Sequence, residues 1–273
     1  MRARLIPLET HVSNRKILLL PLLLLACHEQ PSPRPPANTP PRVFKNIAEL
    51  QQAATSGNPT AEVQLAEHYY RGDGVPKDDK QAFTWAQKAA VQDDAAGQYL
   101  LGGFYDIGCG VREEPMQAFA WFQKAAAQGH AQAQHNLAVM YEEGYGTQPD
   151  TARATLWFQK AAGQGHVLAQ VRVGTIYAEG NYLPTDLEKS AAWFNKAALV
   201  GNDDAQSRMG VIYQYGIGWS RDLQKSYIWY TLAAAQGNLV AQINRNTVEK
   251  QLPPAQLTTA KQLAANWHKG QVF

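Results

Sequence analysis

Residues 130–165 read HAQAQHNLAVMYEEGYGTQPDTARATLWFQKAAGQG. In the first part, Ala133, Leu137, Ala138 and Tyr141 recur at helical spacing and form one apolar face. Gly144-Tyr145-Gly146 then stops the helix, because glycine adopts left-handed backbone at a helix end without a Cβ clash. Asp150 opens a second helix: a short acidic side chain caps free backbone N–H groups and meets the positive end of the helix dipole. That helix carries Ala154, Trp157, Phe158, Ala161 and Ala162 on one face, and Gly165 ends it. Two helices with facing apolar stripes and a short turn make a helical hairpin. The alanines allow close approach, and the tryptophan fills the space between neighbouring hairpins.

The same pattern returns along the chain. Trp85, Trp121, Trp157, Trp193 and Trp229 are each 36 residues apart. Tyr69, Tyr105, Tyr141, Tyr177 and Tyr213 keep that spacing, as do Gly72, Gly108, Gly144, Gly180 and Gly216. Alanine pairs 89-90, 125-126, 161-162, 197-198 and 233-234 follow it too. The cap column reads Asp78, Glu114, Asp150, Asp186, Asp222, and Pro115 after Glu114 suits a first helical position. A hairpin cannot bury its own face alone, so a fixed period of this size means stacked units in a solenoid.

The pattern A-x-x-x-L-G-x-x-Y-x-x-G-x-G-V, then D, then A-x-x-W-F-x-K-A-A-x-x-G resembles the Sel-one-like repeat, a relative of the tetratricopeptide repeat. The resemblance implies an all-α, right-handed α-solenoid of helical hairpins over residues 43–273. Five full repeats span about 58–237. Capping helices are expected at 43–57, where Ala53-Ala54 falls on the alanine-pair column, and at 238–269. The latter comprise a sixth first helix with Glu249 in the tyrosine column and a closing helix, Pro253–Lys269, carrying Trp267. That makes about thirteen helices and no strand.

Upstream, Arg15-Lys16 precedes the apolar run Ile17–Ala26, which is too short to span a bilayer and fits a secretory signal. Leu24-Leu25-Ala26-Cys27 resembles a bacterial lipobox, which implies a signal peptide of residues 1–26 and lipidation of Cys27. The preceding stretch is long for a signal and includes Glu9; a start at Val12 leaves a compact one. In residues 28–42, six of fifteen are proline, a polyproline-prone linker able to act as a stalk. His28 rather than Asp after the cysteine resembles outer-membrane sorting signals, so the expected place is the envelope, facing the periplasm.

Composition agrees with a folded repeat domain. The 273 residues are 45% hydrophobic and 18% charged, which argues against wholesale disorder. Net charge is +2, but residues 1–26 carry four cations and one anion, so the rest is near −1. Nucleic acid is not an expected partner. Two cysteines make no disulfide framework; with Cys27 lipidated, Cys109 is expected to be a free thiol.

In tetratricopeptide relatives the first helix lines a concave face. That register points to Tyr70, Tyr99, Asp106, His135, Val139, Glu142, Val171, Thr175, Ser207, Val211 and Gln214 as positions free to read a protein or peptide partner; an ordinary solvated groove is the competing reading. Hairpin ends supply a second candidate surface. Trp219 replaces the Val75 and Val111 of earlier copies, either packed over its hairpin or exposed as an anchor, and Tyr145, Tyr182 and Tyr215 lie nearby. Tyr182 also replaces the second turn glycine, so the fourth turn should differ.

Catalysis is not expected. His130 and His166 share a helix-cap column with Asn58, Asp94, Asn202 and Asn238. No H-E-x-x-H, G-x-S-x-G or C-x-x-C occurs, and the sole S-x-x-K, Ser13–Lys16, lies in the leader. No cofactor or metal is implied. The resemblance implies an envelope scaffold or adaptor held to the membrane by a lipid. Immunity against a toxic secreted effector such as a phospholipase is the alternative, and a β-lactamase-like hydrolase a distant third.

Overall fold

A computed structural model describes residues 44–273. The leader, Val12, Cys27 and the proline-rich linker lie outside the described residues. The helices are α1 Ile47–Thr55, α2 Pro59–Arg71, α3 Asp79–Val91, α4 Ala95–Ile107, α5 Pro115–Ala127, α6 Ala131–Glu143, α7 Thr151–Gly163, α8 Val167–Glu179, α9 Leu187–Leu199, α10 Asp203–Tyr215, α11 Leu223–Ala235, α12 Leu239–Glu249 and α13 Pro254–Ala265. No strand occurs among the described residues. Even-numbered helices from α2 to α12 are the first helices of the units; each of α2 to α10 packs on the odd-numbered helix that follows it. Among the described residues no helix is long and apolar enough to cross a membrane.

Helix starts follow the cap columns. Asn58, Asp94, His130, His166, Asn202 and Asn238 each accept a bond from the backbone N–H three residues on, at 2.8–3.3 Å. Asp78, Asp150, Asp186 and Asp222 do the same for the second helices, at 2.9–3.0 Å. Glu114 departs from the expectation and makes no side-chain cap bond. Its side chain is one methylene longer, and the Gln117 N–H bonds the Glu114 backbone carbonyl at 3.0 Å instead.

Each turn closes in the same way. The cap residue's N–H donates to the carbonyl of the tyrosine nine residues earlier, from Asp78 to Tyr69 through Asp222 to Tyr213, at 2.8–3.0 Å. The second turn glycine lets the turn rest on the preceding unit: a Cβ on Gly110, Gly146 or Gly218 would lie 2.1–2.3 Å from the carbonyl oxygen of Asp79, Pro115 or Leu187. Tyr182 occupies this position in the fourth unit. There Gly180 N–H still bonds the Ile176 carbonyl, but Asn181 lacks the bond that Cys109, Tyr145 and Ile217 make in their turns.

The core repeats with the sequence. Phe122, Phe158, Phe194 and Tyr230 are buried between the helices of their hairpins. Small residues opposite make room: a Cβ on Gly102, Gly174 or Gly210 would come within 2.4–2.9 Å of the Phe122, Phe194 or Tyr230 ring. Trp85, Trp121, Trp157 and Trp193 are half-buried, and the lysine three residues on lies over each ring, 3.6–3.9 Å from its centre. Trp229 differs. Leu232 replaces the lysine, and Trp267 and Phe273 cover the ring at 6.3 and 5.1 Å. Trp267 follows α13 rather than lying within it, and its indole N–H donates to the Gln271 carbonyl at 3.1 Å. The closing helix is therefore shorter than the sequence suggests, because the chain turns back to bond Leu199 through Gly270.

Glutamines link the end of each second helix to the first helix of the same hairpin. Gln92 donates to Glu62, Gln128 to Gln98, Gln164 to Gln134 and Gln236 to Gln206, at 2.7–2.9 Å. The fourth unit has Val200 in the donor column, and Oε1 of Gln170 is buried without a partner.

Candidate functional site

The first-helix candidates divide by what they touch. Tyr70 on α2 is half-buried, its ring 5.5 Å from Phe104, with the Lys77 ammonium 5.6 Å above it. Tyr99 on α4 stacks on His130 at 4.6 Å and tilts against Phe122 at 5.8 Å. His135 on α6 is buried, with rings of His166 and Phe158 at 4.5 and 5.6 Å. Neither of its ring nitrogens has a hydrogen-bond partner. Burial, and then the neighbouring His166, holds His135 well below the ordinary histidine range. Tyr99 and His135 thus make their ring contacts inside their own hairpins, and Tyr70 reaches the Phe104 ring of the next unit.

Asp106 on α4 is buried, which pushes its carboxyl up to about 6; the charges of Glu113 and Glu143 add to the rise and a bond from Tyr145 opposes it. Tyr145 donates to Glu113 Oε1 at 3.3 Å. A first-helix candidate and a hairpin-end candidate thus meet in one polar knot. Glu142 on α6 pairs with Arg172 on α8, whose Nε donates at 3.0 Å and whose Nη2 reaches the same oxygen. Val139 packs on the central core, and Val171 packs on the core of units four and five. Thr175 donates to the Val171 carbonyl at 3.1 Å.

In unit five, Ser207 and Gln214 are buried and Val211 is half-buried. Gln214 Oε1 accepts from the Tyr230 hydroxyl at 2.8 Å. Four of the eleven first-helix positions, Asp106, His135, Ser207 and Gln214, are therefore buried in the stack. The spacing placed them on a face, but packing covers that face: Phe158 and Tyr230, each from the same hairpin, lie on His135 and bond Gln214, and Tyr145 of the next unit bonds Asp106.

The hairpin ends are more open. Tyr215 is 60% exposed and Tyr182 44% exposed, with Leu187 at 37%. Trp219 is half-buried, its ring 5.8 Å from Tyr213, and it packs on the core of units four and five. Gly218 seats this turn against Leu187, so residues of units four and five share one edge. Tyr182 is exposed because its side chain cannot enter the space that the turn glycine leaves elsewhere. Sequence reading missed Arg172, whose partner lies thirty residues away, and Leu187, whose column carries no aromatic signal.

Reactive chemistry is sparse. Cys109 is buried and free, and burial followed by the nearby Asp79 carboxylate pushes its thiol up to about 12. Such a thiol holds its proton at neutral pH and is a poor nucleophile. Among the described residues no three His, Cys, Asp or Glu side chains gather as a metal ion would need.

The Sel1 repeat family model matches residues 59–94, 95–130, 131–166, 167–202 and 203–238. The chain belongs to the Sel1 repeat family. The matched frames begin at the start of each first helix, as the hairpin geometry requires. A protective antigen of uropathogenic Escherichia coli strains with an SLR fold is 31% identical, over 80% of this chain and 48% of that one, with a TM-score of 0.72. A Sel1 repeat protein from Oxalobacter formigenes is 37% identical, over 73% of this chain and 59% of that one, with a TM-score of 0.68. The chain thus spans about half of the first and three fifths of the second. An immunity protein, Pa5087, from Pseudomonas aeruginosa is 20% identical over 71% of this chain and 74% of that one, with a TM-score of 0.46. None of the curated proteins compared matches the chain.

Proposed function

We propose that this Sel1 repeat chain is a non-catalytic, protein-binding scaffold of the bacterial envelope, tethered through Cys27 and facing the periplasm, at the outer membrane. The carrying observation is the aromatic edge of units four and five. Tyr182 and Tyr215 are exposed there, and the repeat needs neither of them at those positions. Tyrosine and tryptophan are over-represented among residues that dominate binding energy. The lipobox-like Leu24–Cys27 and the proline-rich linker support the tether. First-helix positions such as Tyr70 and Glu142 extend the surface along the stack.

The test is capture from native envelope extract with the tethered full chain as bait, against a Tyr182→Ser, Tyr215→Ser variant. Both residues are exposed, so the variant should melt with the wild type. A protein retained by the wild type and lost by the variant supports the edge as a docking surface. A partner that is a component of an envelope assembly supports the scaffold; a toxic effector supports immunity. Equal capture by both baits sinks the edge and moves attention to Tyr70, Val139 and Thr175. Separately, radiolabelled palmitate fails to enter the chain after Cys27→Ser if the tether is as proposed.

A further inference from the structure

Unit four is fastened less than its neighbours. At the open end of its hairpin, Val200 stands where other units have a glutamine that bonds the first helix, and Gln170 Oε1 is left buried without a partner. Gln170 Nε2 reaches the Ala162 carbonyl of unit three at 3.4 Å, against 3.1 and 3.2 Å for the same bond from Gln134 and Gln206. At the turn, Asn181 lacks the backbone bond that Asp73, Cys109, Tyr145 and Ile217 make at 2.9–3.1 Å. Tyr182 replaces the glycine that seats the turns of units two, three and five on the unit before. These departures are separate in sequence, yet all fall on one hairpin.

The two helices of that hairpin are held by opposite sides of the stack. α8 goes with unit three: Arg172 Nε donates to Glu142 at 3.0 Å, and Ala169, Val173 and Ile176 lie in the core built by α5, α6 and α7. α9 goes with unit five. The Gly218 turn rests on Leu187, Gln206 bonds the Ala198 carbonyl at 3.2 Å, and the chain end returns so that Gly270 N–H bonds the Leu199 carbonyl at 2.7 Å. Ala191, Phe194, Ala197 and Ala198 lie in the core shared with α10 and Trp229. The buried core therefore parts between α8 and α9. It also parts between α4 and α5, but there Gln128 bonds Gln98 at 2.9 Å and the Cys109 turn bond is made.

What fastens α8 to α9 directly lies away from the open end. Ser190 Oγ donates to the Gly174 carbonyl at 2.8 Å, and the Phe194 ring lies so close that a Cβ on Gly174 would stand 2.9 Å from it. Asp186 N–H bonds the Tyr177 carbonyl at 3.0 Å, and the Lys189 ammonium lies 5.5 Å from the Tyr177 ring centre. Otherwise apolar contacts cross the boundary: Val167 and Val171 pack on the core of α9 and α10, and Trp193 packs on the central core. Apolar contact is non-directional, so these side chains can slide where a hydrogen bond would lock.

We propose that unit four is a hinge. Residues 44–179 and 187–273 move as two blocks about the Gly174 contact and the turn, opening and closing the gap between Gln170 and Val200. Hinges of this kind absorb motion at a few element-terminal residues while the packed blocks stay rigid. The hinge sets the angle between the first-helix faces of units one to three and that of unit five. It does not depend on the aromatic edge being a docking surface.

The test is pulsed dipolar electron spin resonance on the full chain, with spin labels carried on acetylphenylalanine so that both cysteines are untouched. Labels at Gln117 on α5 and Gln256 on α13 span the hinge. Labels at Ala48 on α1 and Ala152 on α7 span as many units without crossing it, and all four positions are exposed. The distance distribution across the hinge should be wider than the control's. Val200→Gln, which restores the missing bond, should narrow it to the control's width. Should Val200→Gln melt below the wild type, Tyr182→Gly replaces it and restores the turn instead. A distribution across unit four no wider than the control's overturns the hinge, and so does a width that neither substitution changes.

Discussion

Replacing Val200 with glutamine should stabilise the solenoid. In four of the five units a glutamine at the end of the second helix donates across thirty residues to the first helix of the same hairpin, at 2.7–2.9 Å. In the fourth, Val200 cannot donate, and Oε1 of Gln170 is buried without a partner. Its Nε2 already bonds the Ala162 carbonyl at 3.4 Å, so the side chain is oriented to receive the missing donor. One net hydrogen bond is worth about 0.5–1.5 kcal/mol, and relief of an unpaired buried acceptor raises that toward the upper end. Ordering a glutamine side chain opposes it by up to about 2 kcal/mol, but less here because half the contact is preformed. Val200 is 37% exposed, so little apolar burial is lost. The expected net gain is about 1 kcal/mol, or roughly 2–4 °C in melting temperature for a domain of this size. Because repeat arrays need not melt in one step, hydrogen exchange at α8 and α9 should be followed as well. A double-mutant cycle with Gln170→Met isolates the bond: the gain should vanish in that background. Equal stabilisation by Val200→Gln with and without Gln170, or no gain at all, would refute the ladder as the source.

Gly210→Ala should cost about 1–3 kcal/mol, because its methyl would stand 2.4 Å from the buried Tyr230 ring, whereas Gly163→Ala meets nothing within 4 Å and should gain up to about 1 kcal/mol; thermal melting compares them. Burial holds His130 and His166 down at about 4, below the ordinary 6.5. The fold thus binds fewer protons than the unfolded chain, so stability is complete above pH 6.5 and falls toward pH 4, by about 1.4 kcal/mol per pH unit for each histidine. Melting at pH 7 and pH 4.5 checks this, and His130→Asn with His166→Asn, which keeps both caps, should flatten the fall. Asp106 runs the other way: its carboxyl is raised from 3.8 to about 6, so its contribution is favourable below pH 3.8 and is lost as pH rises through 6. Asp106→Asn should therefore stabilise at pH 8 and change little at pH 4, read by denaturant midpoints at the two values.

Much of the architecture was legible in the residues. The columns of Trp, Tyr, Gly and Ala located the units, because each does the same local task in every copy. The asparagine, histidine and acidic columns marked helix starts, and the structure bears them out, although Glu114 makes no side-chain cap bond. The unusual fourth turn was legible from Tyr182 alone. The candidate surface was less so. Asp106, His135, Ser207 and Gln214 shared a face by spacing, yet they are buried by the helices and turns packed against it, which spacing along one helix does not report. Glu142 and Arg172 lie thirty residues apart with no shared motif, so their pairing emerged only once the units were stacked.

The hairpin, its period and its stacking follow from the residues alone, because they depend on contacts repeated at fixed separations along the chain. Where the repetition stops, the outcome rests on contacts that no column predicts. Trp229 keeps its column but becomes buried, since Trp267 and Phe273 return over it. α12 keeps its place as a first helix but loses its partner, since α13 packs Ala260 and Ala264 with Tyr227 and Ile228 of α11 instead. A terminal unit has a neighbour on one side only, and which of its faces is then covered is settled by three-dimensional packing rather than by the repeat.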